Sequence, residues 1–178
     1  NHPKSLVIGD VRYPAKIFSV WSASELNAIG IYEVVFDNSN FKDEKWYINT
    51  NQSFAFADGI VTASYGTATP KAHADRNGTD RDGVELNPIV VIEGLKTKLI
   101  KNLKAQVAGI LSETDWYITR NTEKSTAIPS AVSTHRDAVR TKQASMETAI
   151  TNASDTPALE TLYTYTTDSD GVQQPRPL

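Results

Sequence analysis

Three histidines, at positions 2, 73 and 135, are the first residues that could do chemistry, because imidazole is both a zinc ligand and the usual general base near neutral pH. They fall in separate expected elements, and no His-x-x-x-His or His-Glu pair gives a zinc spacing. His135 falls on a helix seam, where it is expected as a core or interface side chain. The acidic run Asp75, Asn77, Asp80, Asp82 and Glu85 offers oxygens that suit a hard cation. Its spacing lacks the alternating ligands and sixth-place glycine of an EF-hand, so it reads as a solvated loop. There is no Gly-x-Ser-x-Gly elbow, phosphate loop or dinucleotide glycine pattern. With no cysteine, thiolate nucleophiles, disulfides and Cys-ligated zinc are excluded. The Asn-x-Ser/Thr matches at Asn51, Asn77 and Asn152 have meaning only on a secretory route. The expectation is a protein that is not an enzyme, with no catalytic residue, no metal and no cofactor.

Bulk properties narrow the partners. A chain of 178 residues suits one medium domain or two small ones. A hydrophobic fraction of 39%, a charged fraction of 22% and a net charge of −3 leave no basic face of the size that nucleic acid demands. No stretch approaches the ~20 apolar residues that span a bilayer, and residues 1–10 lack the basic-then-apolar layout of a signal peptide. Neither nucleic acid nor membrane is expected as a partner, and the absence of cysteine fits synthesis in a reducing cytoplasm.

The elements that must position any site divide into two kinds. From residue 5 to about 66 the pattern favours short strands. Leu6-Val7-Ile8 and Val11-Arg12-Tyr13 flank a Gly9-Asp10 hairpin signal, and Phe54 to Ala57 and Ile60 to Tyr65 flank Asp58-Gly59. Ser22 and Glu25 form a capping box for a short helix that Gly30 ends. Ile31 to Phe36 and Trp46-Tyr47-Ile48 read as further strands. Residues 67–90, rich in Gly, Asp, Asn and Pro, read as an exposed polar linker.

From residue 91 the period changes. Ile92, Leu95, Leu99, Leu103, Val107 and Ile110 recur at spacings of three and four, which predicts an amphipathic helix of about five turns at ~3.6 residues each. A second helix is expected from Pro129-Ser130, with a seam of Val132, His135, Val139, Lys142 or Gln143, Met146, Ile150 and Ala153. A third is expected with Thr156 as its N-cap and Pro157 at its first position. Residues 167–178 lack apolar periodicity and are expected as an extended arm. The fold class is therefore α+β: a small N-terminal antiparallel β region with a short helix (1–66), the linker, a C-terminal α-helical hairpin (91–166) and the tail.

The joint between the helices carries Thr114-Asp115-Trp116 and Arg120. Thr114 or Asp115 is expected to satisfy free amides at the turn, Trp116 to bury its ring under the crossover, Tyr117-Ile118 to run extended, and Arg120 to bridge Asp115 or a helix-end carbonyl. Together with Leu111, Pro129, and the paired Arg136 and Arg140, this corner resembles the C-terminal region of tail-fibre and tail-accessory proteins of tailed bacteriophages, such as myoviruses of marine cyanobacteria. Trp21-Ser22, Glu25-Leu26 and Ala28 to Ile31 are similar to a segment that such proteins carry near their start. The resemblance implies a non-enzymatic structural component of the virion tail, made in the host cytoplasm and present in several copies at the baseplate or fibre attachment region. It would act through contacts with other tail, baseplate or fibre proteins or as a homo-oligomer, with Thr114, Asp115, Trp116, Arg120, Pro129, His135, Arg136, Val139, Arg140 and Met146 as structural and interaction residues. One alternative is a fibre-assembly chaperone that does not remain in the particle. Another is a host-surface glycan-binding module using Trp46 and Tyr47.

Overall fold

The computed structural model describes residues 4–167 and 169–174. The chain is α+β and divides into two compact units, one up to Thr69 and one from Pro70 onward. In the first unit, β1 (Leu6–Ile8) and β2 (Val11–Tyr13) form the expected hairpin, with Gly9 at φ 59°. The short helices α1 (Ile17–Val20) and α2 (Ala23–Ala28) follow, and the Trp21 ring between them meets Tyr13 edge-on at 5.9 Å. The capping box on α2 is present: the Ser22 amide donates to the Glu25 carboxylate at 2.8 Å and the Glu25 amide donates to the Ser22 hydroxyl.

Then come β3 (Val34–Asp37), β4 (Tyr47–Ile48), β5 (Ser53–Ala57) and β6 (Ile60–Ser64). Three of them form a sheet in the order β3-β6-β5. β5 and β6 are antiparallel across Asp58 and Gly59, both at positive φ (51° and 77°), as a type I′ turn requires. β3 instead runs parallel to β6, a departure from the expected all-antiparallel region. The link from β3 to β5 is what makes a parallel pair reachable, since parallel neighbours need a crossover longer than a hairpin turn.

β7 (Thr69–Pro70) spans the boundary, and in the second unit β8 (Arg76–Asn77) and β9 (Val91–Ile92) pair antiparallel. Four helices follow: α3 (Leu95–Ser112), α4 (Asp115–Lys124), α5 (Ser130–Asn152) and α6 (Thr156–Tyr163). Leu103 and Val107 of α3, Ile150 of α5, Ala153 just after it and Leu159 of α6 are buried. Each large aliphatic among them contributes on the order of 1.5–3 kcal/mol.

Several expectations are corrected here. Residues 67–90, expected as an exposed polar linker, are mostly exposed, and part of the segment also bonds to α3. The amides of Leu95 and Lys96 at the start of α3 donate to the carbonyls of Ala72 and His73, both at 3.0 Å. This segment therefore satisfies helix-end donors that no side chain of α3 reaches. Asp155, not Thr156, is the N-cap of α6, accepting from the Ala158 amide at 2.8 Å. Thr156 is buried and donates its hydroxyl hydrogen to the Lys71 carbonyl at 2.6 Å. The tail turns back as a hairpin, β10 (Thr166–Thr167) with β11 (Gln173–Gln174), where an extended arm was expected; the arm's other residues, Asp168 and 175–178, lie outside the described residues.

Candidate functional site

The corner between α3 and α5 is the most constructed polar site among the described residues. α3 ends at Ser112 with its last carbonyls free of helical partners, a partial negative charge that attracts a cation. Arg136 of α5 supplies it. Its Nη1 donates to the Leu111 carbonyl and to Thr114 Oγ1, both at 2.6 Å, and its Nη2 donates to Asp115 Oδ1 at 2.8 Å. Arg136 is 6% exposed, whereas the Asp115 side chain keeps 60% of its surface. One buried guanidinium thus ties a helix end, a turn hydroxyl and the first carboxylate of the next helix into one cluster. Asp115 also suits the N-terminal end of the α4 dipole.

A second cation does the same in reverse. Lys96, in the first turn of α3, donates to the Thr151 carbonyl in the last turn of α5 at 2.8 Å. Each of the two helices therefore places a basic side chain on the C-terminal carbonyls of the other. A 3.4 Å ion pair between Lys104 and Glu147 lies between the two clamps. At the start of α3, Asp75 accepts from the Gly94 amide (2.8 Å) and from the Thr97 hydroxyl (2.7 Å). The Thr97 hydroxyl, then the Gly94 amide, and last the nearby Lys101 charge hold the Asp75 carboxyl below the ordinary aspartate range.

The sequence-predicted residues are redistributed. Thr114, Asp115 and Arg136 meet, but Thr114 serves carbonyls and not amides: its hydroxyl donates to the Leu111 carbonyl at 3.1 Å. Arg120 does not bridge Asp115. It lies over the Trp116 ring (4.7 Å) and the Tyr117 ring (5.3 Å), a cation–π stack set by i+4 and i+3 helical spacing. Trp116 is 50% exposed, so the indole does not pin the elbow from within. Its ring instead stacks on Tyr117 at 3.8 Å. Tyr117 and Ile118 are helical, not extended, and α4 ends at Ser125 in the left-handed conformation (φ 50°). Pro129 caps α5, its carbonyl accepting from the Val132 amide at 2.9 Å. Arg140 stays away from the corner and pairs with Asp137 at 3.6 Å on the exposed side of α5.

His135, Val139 and Met146 line a shallow, mainly apolar groove of about 370 Å³ with Leu103, Val107 and Ile110. His135 is exposed there, while its neighbour Arg136 takes the buried position that the seam had assigned to the histidine. The acidic run is used up in local bonds. Asn77 donates to Glu85 at 2.9 Å, and Asp80 accepts from the amides of Asp82 and Val84. Among the described residues no group of three or more His, Cys, Asp or Glu could hold a metal ion. Trp46 and Tyr47 are each 3% exposed, under the side chains of Lys45 and Lys42, so they offer no ring face to a sugar.

Sequence reasoning missed the roles of Lys96, Asp75 and Thr156. Only Gly94, directly before an apolar period, carried a signal: a Cβ there would stand 2.4 Å from the Ala74 carbonyl, which marks a close approach of backbone to the start of the helix. No helix among the described residues is long and apolar enough to cross a membrane. The chain matches no protein-family model, no curated protein and no solved structure.

Proposed function

We propose that this chain is a non-enzymatic structural component of a bacteriophage tail, at the baseplate or fibre attachment region, acting through protein–protein contacts. The observation that carries the reading is the corner itself. The residues of the phage-like pattern divide there into a clamp in which both terminal nitrogens of Arg136 bond to Leu111, Thr114 and Asp115 of the same chain, and a half-exposed ledge of Trp116, Tyr117 and Arg120. A rigid support beneath an exposed tryptophan–arginine stack matches the residue types that dominate protein interfaces, where a few aromatic and arginine anchors carry most of the binding energy. The apolar groove beside His135 and Met146 extends the surface available to another tail protein.

Mass spectrometry of purified particles from the virus encoding the chain tests this reading. The protein is expected in the particle at a constant copy number, and Trp116→Ala is expected to lower its incorporation while its circular dichroism is unchanged. Presence in infected cells together with absence from intact particles would replace the proposal with the assembly-chaperone role.

A further inference from the structure

The sheet of the first unit has two outer strands, and charge guards only one of them. β3 is bracketed by Glu33 and Asp37; paired antiparallel with another β3 about Val35, it would set Glu33 of one chain against the partner's Asp37. Like charges directly opposite each other destabilise such a pairing. β5, Ser-Phe-Ala-Phe-Ala, has no charge, no proline and no glycine, and all five of its residues are exposed.

Its register on β6 sets Phe54 across from Ala63 and Phe56 across from Val61, while Phe36 of β3 also lies across from Ala63. One face of the sheet is thus apolar throughout, and Phe36, Phe54 and Phe56 are 63%, 63% and 58% exposed. At ~150–250 Å² per aromatic side chain, the three rings leave on the order of 300–450 Å² of apolar surface bare. That is near the upper limit for a lone chain and approaches the roughly 500 Å² per partner of the smallest specific interfaces once a strand edge is added.

We propose that β5 pairs antiparallel with β5 of a second copy of this chain, about a twofold axis through Ala55. In that register Phe54 lies opposite the partner's Phe56 and Phe56 opposite the partner's Phe54, two aromatic cross-strand pairs on one face. Asp58 falls opposite the partner's Gln52, so no like charges meet. Shifting the axis to Phe56 would set Phe54 against the partner's Asp58, and shifting it to Phe54 would set Phe56 against the partner's Gln52. Only the Ala55 axis keeps every phenylalanine on a phenylalanine, and it also satisfies the backbone donors and acceptors of the open edge. The pairing is independent of the proposed tail role, because it uses the other unit and concerns only copies of this chain.

The absence of cysteine makes the test direct. Ala55→Cys puts two thiols face to face on the axis, with Cβ atoms roughly 4.5–5.5 Å apart, close to disulfide reach. Mild oxidation of the full chain at micromolar concentration is expected to give the covalent dimer severalfold faster for Ala55→Cys than for Phe54→Cys or for the exposed control Thr67→Cys. Sedimentation of the unmodified chain is expected to show a reversible dimer, which Ala55→Lys converts to monomer with unchanged circular dichroism. A monomeric unmodified chain overturns the proposal, as does cross-linking of Ala55→Cys no faster than that of Thr67→Cys. An open-ended series of oligomers also overturns it, since that is the mark of head-to-tail pairing between β5 and β3. If Ala55→Lys does not fold, the comparison among the cysteine variants decides alone.

Discussion

The two units use apolar residues in opposite ways. In the helical unit Leu103 and Val107 of α3, Ile150 of α5 and Leu159 of α6 turn inward, and Ile150 and Leu159 have no exposed surface at all. In the β unit the sheet has an alternating strand pattern, yet Val35, Phe36, Phe54 and Phe56 are more than half exposed and only small Ala63 is covered at the sheet centre. Antiparallel helices bury one another along their length, whereas three short strands have two faces and too few neighbours to cover both. The lesson is that the helical unit closes a core of its own and exposes a local ledge and groove beside it, whereas the β sheet leaves a whole apolar face uncovered.

Truncating the helical core should test that contrast most strongly. Ile150→Ala or Leu159→Ala is expected to cost about 2–5 kcal/mol in denaturant unfolding followed by circular dichroism. Phe36→Thr or Phe54→Thr, measured at a concentration where the chain is monomeric, should stay within about 0.5 kcal/mol, as surface substitutions do. Equal losses in the two units would end the comparison.

The corner clamp comes next. Arg136→Met keeps most of the buried stem but removes the charged donor that ties the Leu111 carbonyl, Thr114 and Asp115 together, and it should lower stability by about 2–3 kcal/mol in the same measurement. Asp115→Asn should cost less than about 1 kcal/mol, because the Asp115 side chain is 60% exposed and water can replace the lost charge pairing. A larger loss from Asp115 than from Arg136 would reverse the assignment of which residue holds the corner.

At the other end of α3, Gly94→Ala must push back the Ala74 carbonyl, and a loss of about 1–3 kcal/mol in thermal unfolding is expected. The smallest effect concerns pH. Because the folded-state pKa of Asp75 is lowered, its contribution is fully present above the unfolded aspartate value of roughly 3.9 and is lost as pH falls through the still lower folded value. Asp75→Asn should therefore be less stable than the unmodified chain near neutral pH, with the gap closing in acid. A gap that is independent of pH would show that Asp75 acts by shape alone.

Much of the fold was legible because local rules decided it. Asp58-Gly59 specifies its turn through positive φ, Ser22 and Glu25 complete a capping box within one helical turn, and the spacings from Leu95 to Val107 mark an inward stripe. The corner was half legible. Thr114, Asp115 and Arg136 were all singled out, but Asp115 was matched to Arg120, four to six residues from the turn, when its true partner lies twenty-one residues away on another helix. α4 was missed because Trp-Tyr-Ile-Thr reads as strand; the stacking of Arg120 on Trp116 and Tyr117 exists only once the segment is helical.

By itself the amino-acid sequence determined where the period changes from strand to helix, which turns are tight, and that no cysteine chemistry is available. Those properties depend on dihedral preferences and on side chains a few residues apart. Tertiary structure alone decided that Arg136 and not His135 would be buried, that Lys96 and Arg136 would each serve the other helix's end, that Asp75 and residues 72–73 would satisfy the amides of α3, and that Trp116 would remain half in water. The physical reason is that a buried charge is tolerable only where acceptors converge on it, and those acceptors come from segments whose meeting no local pattern encodes.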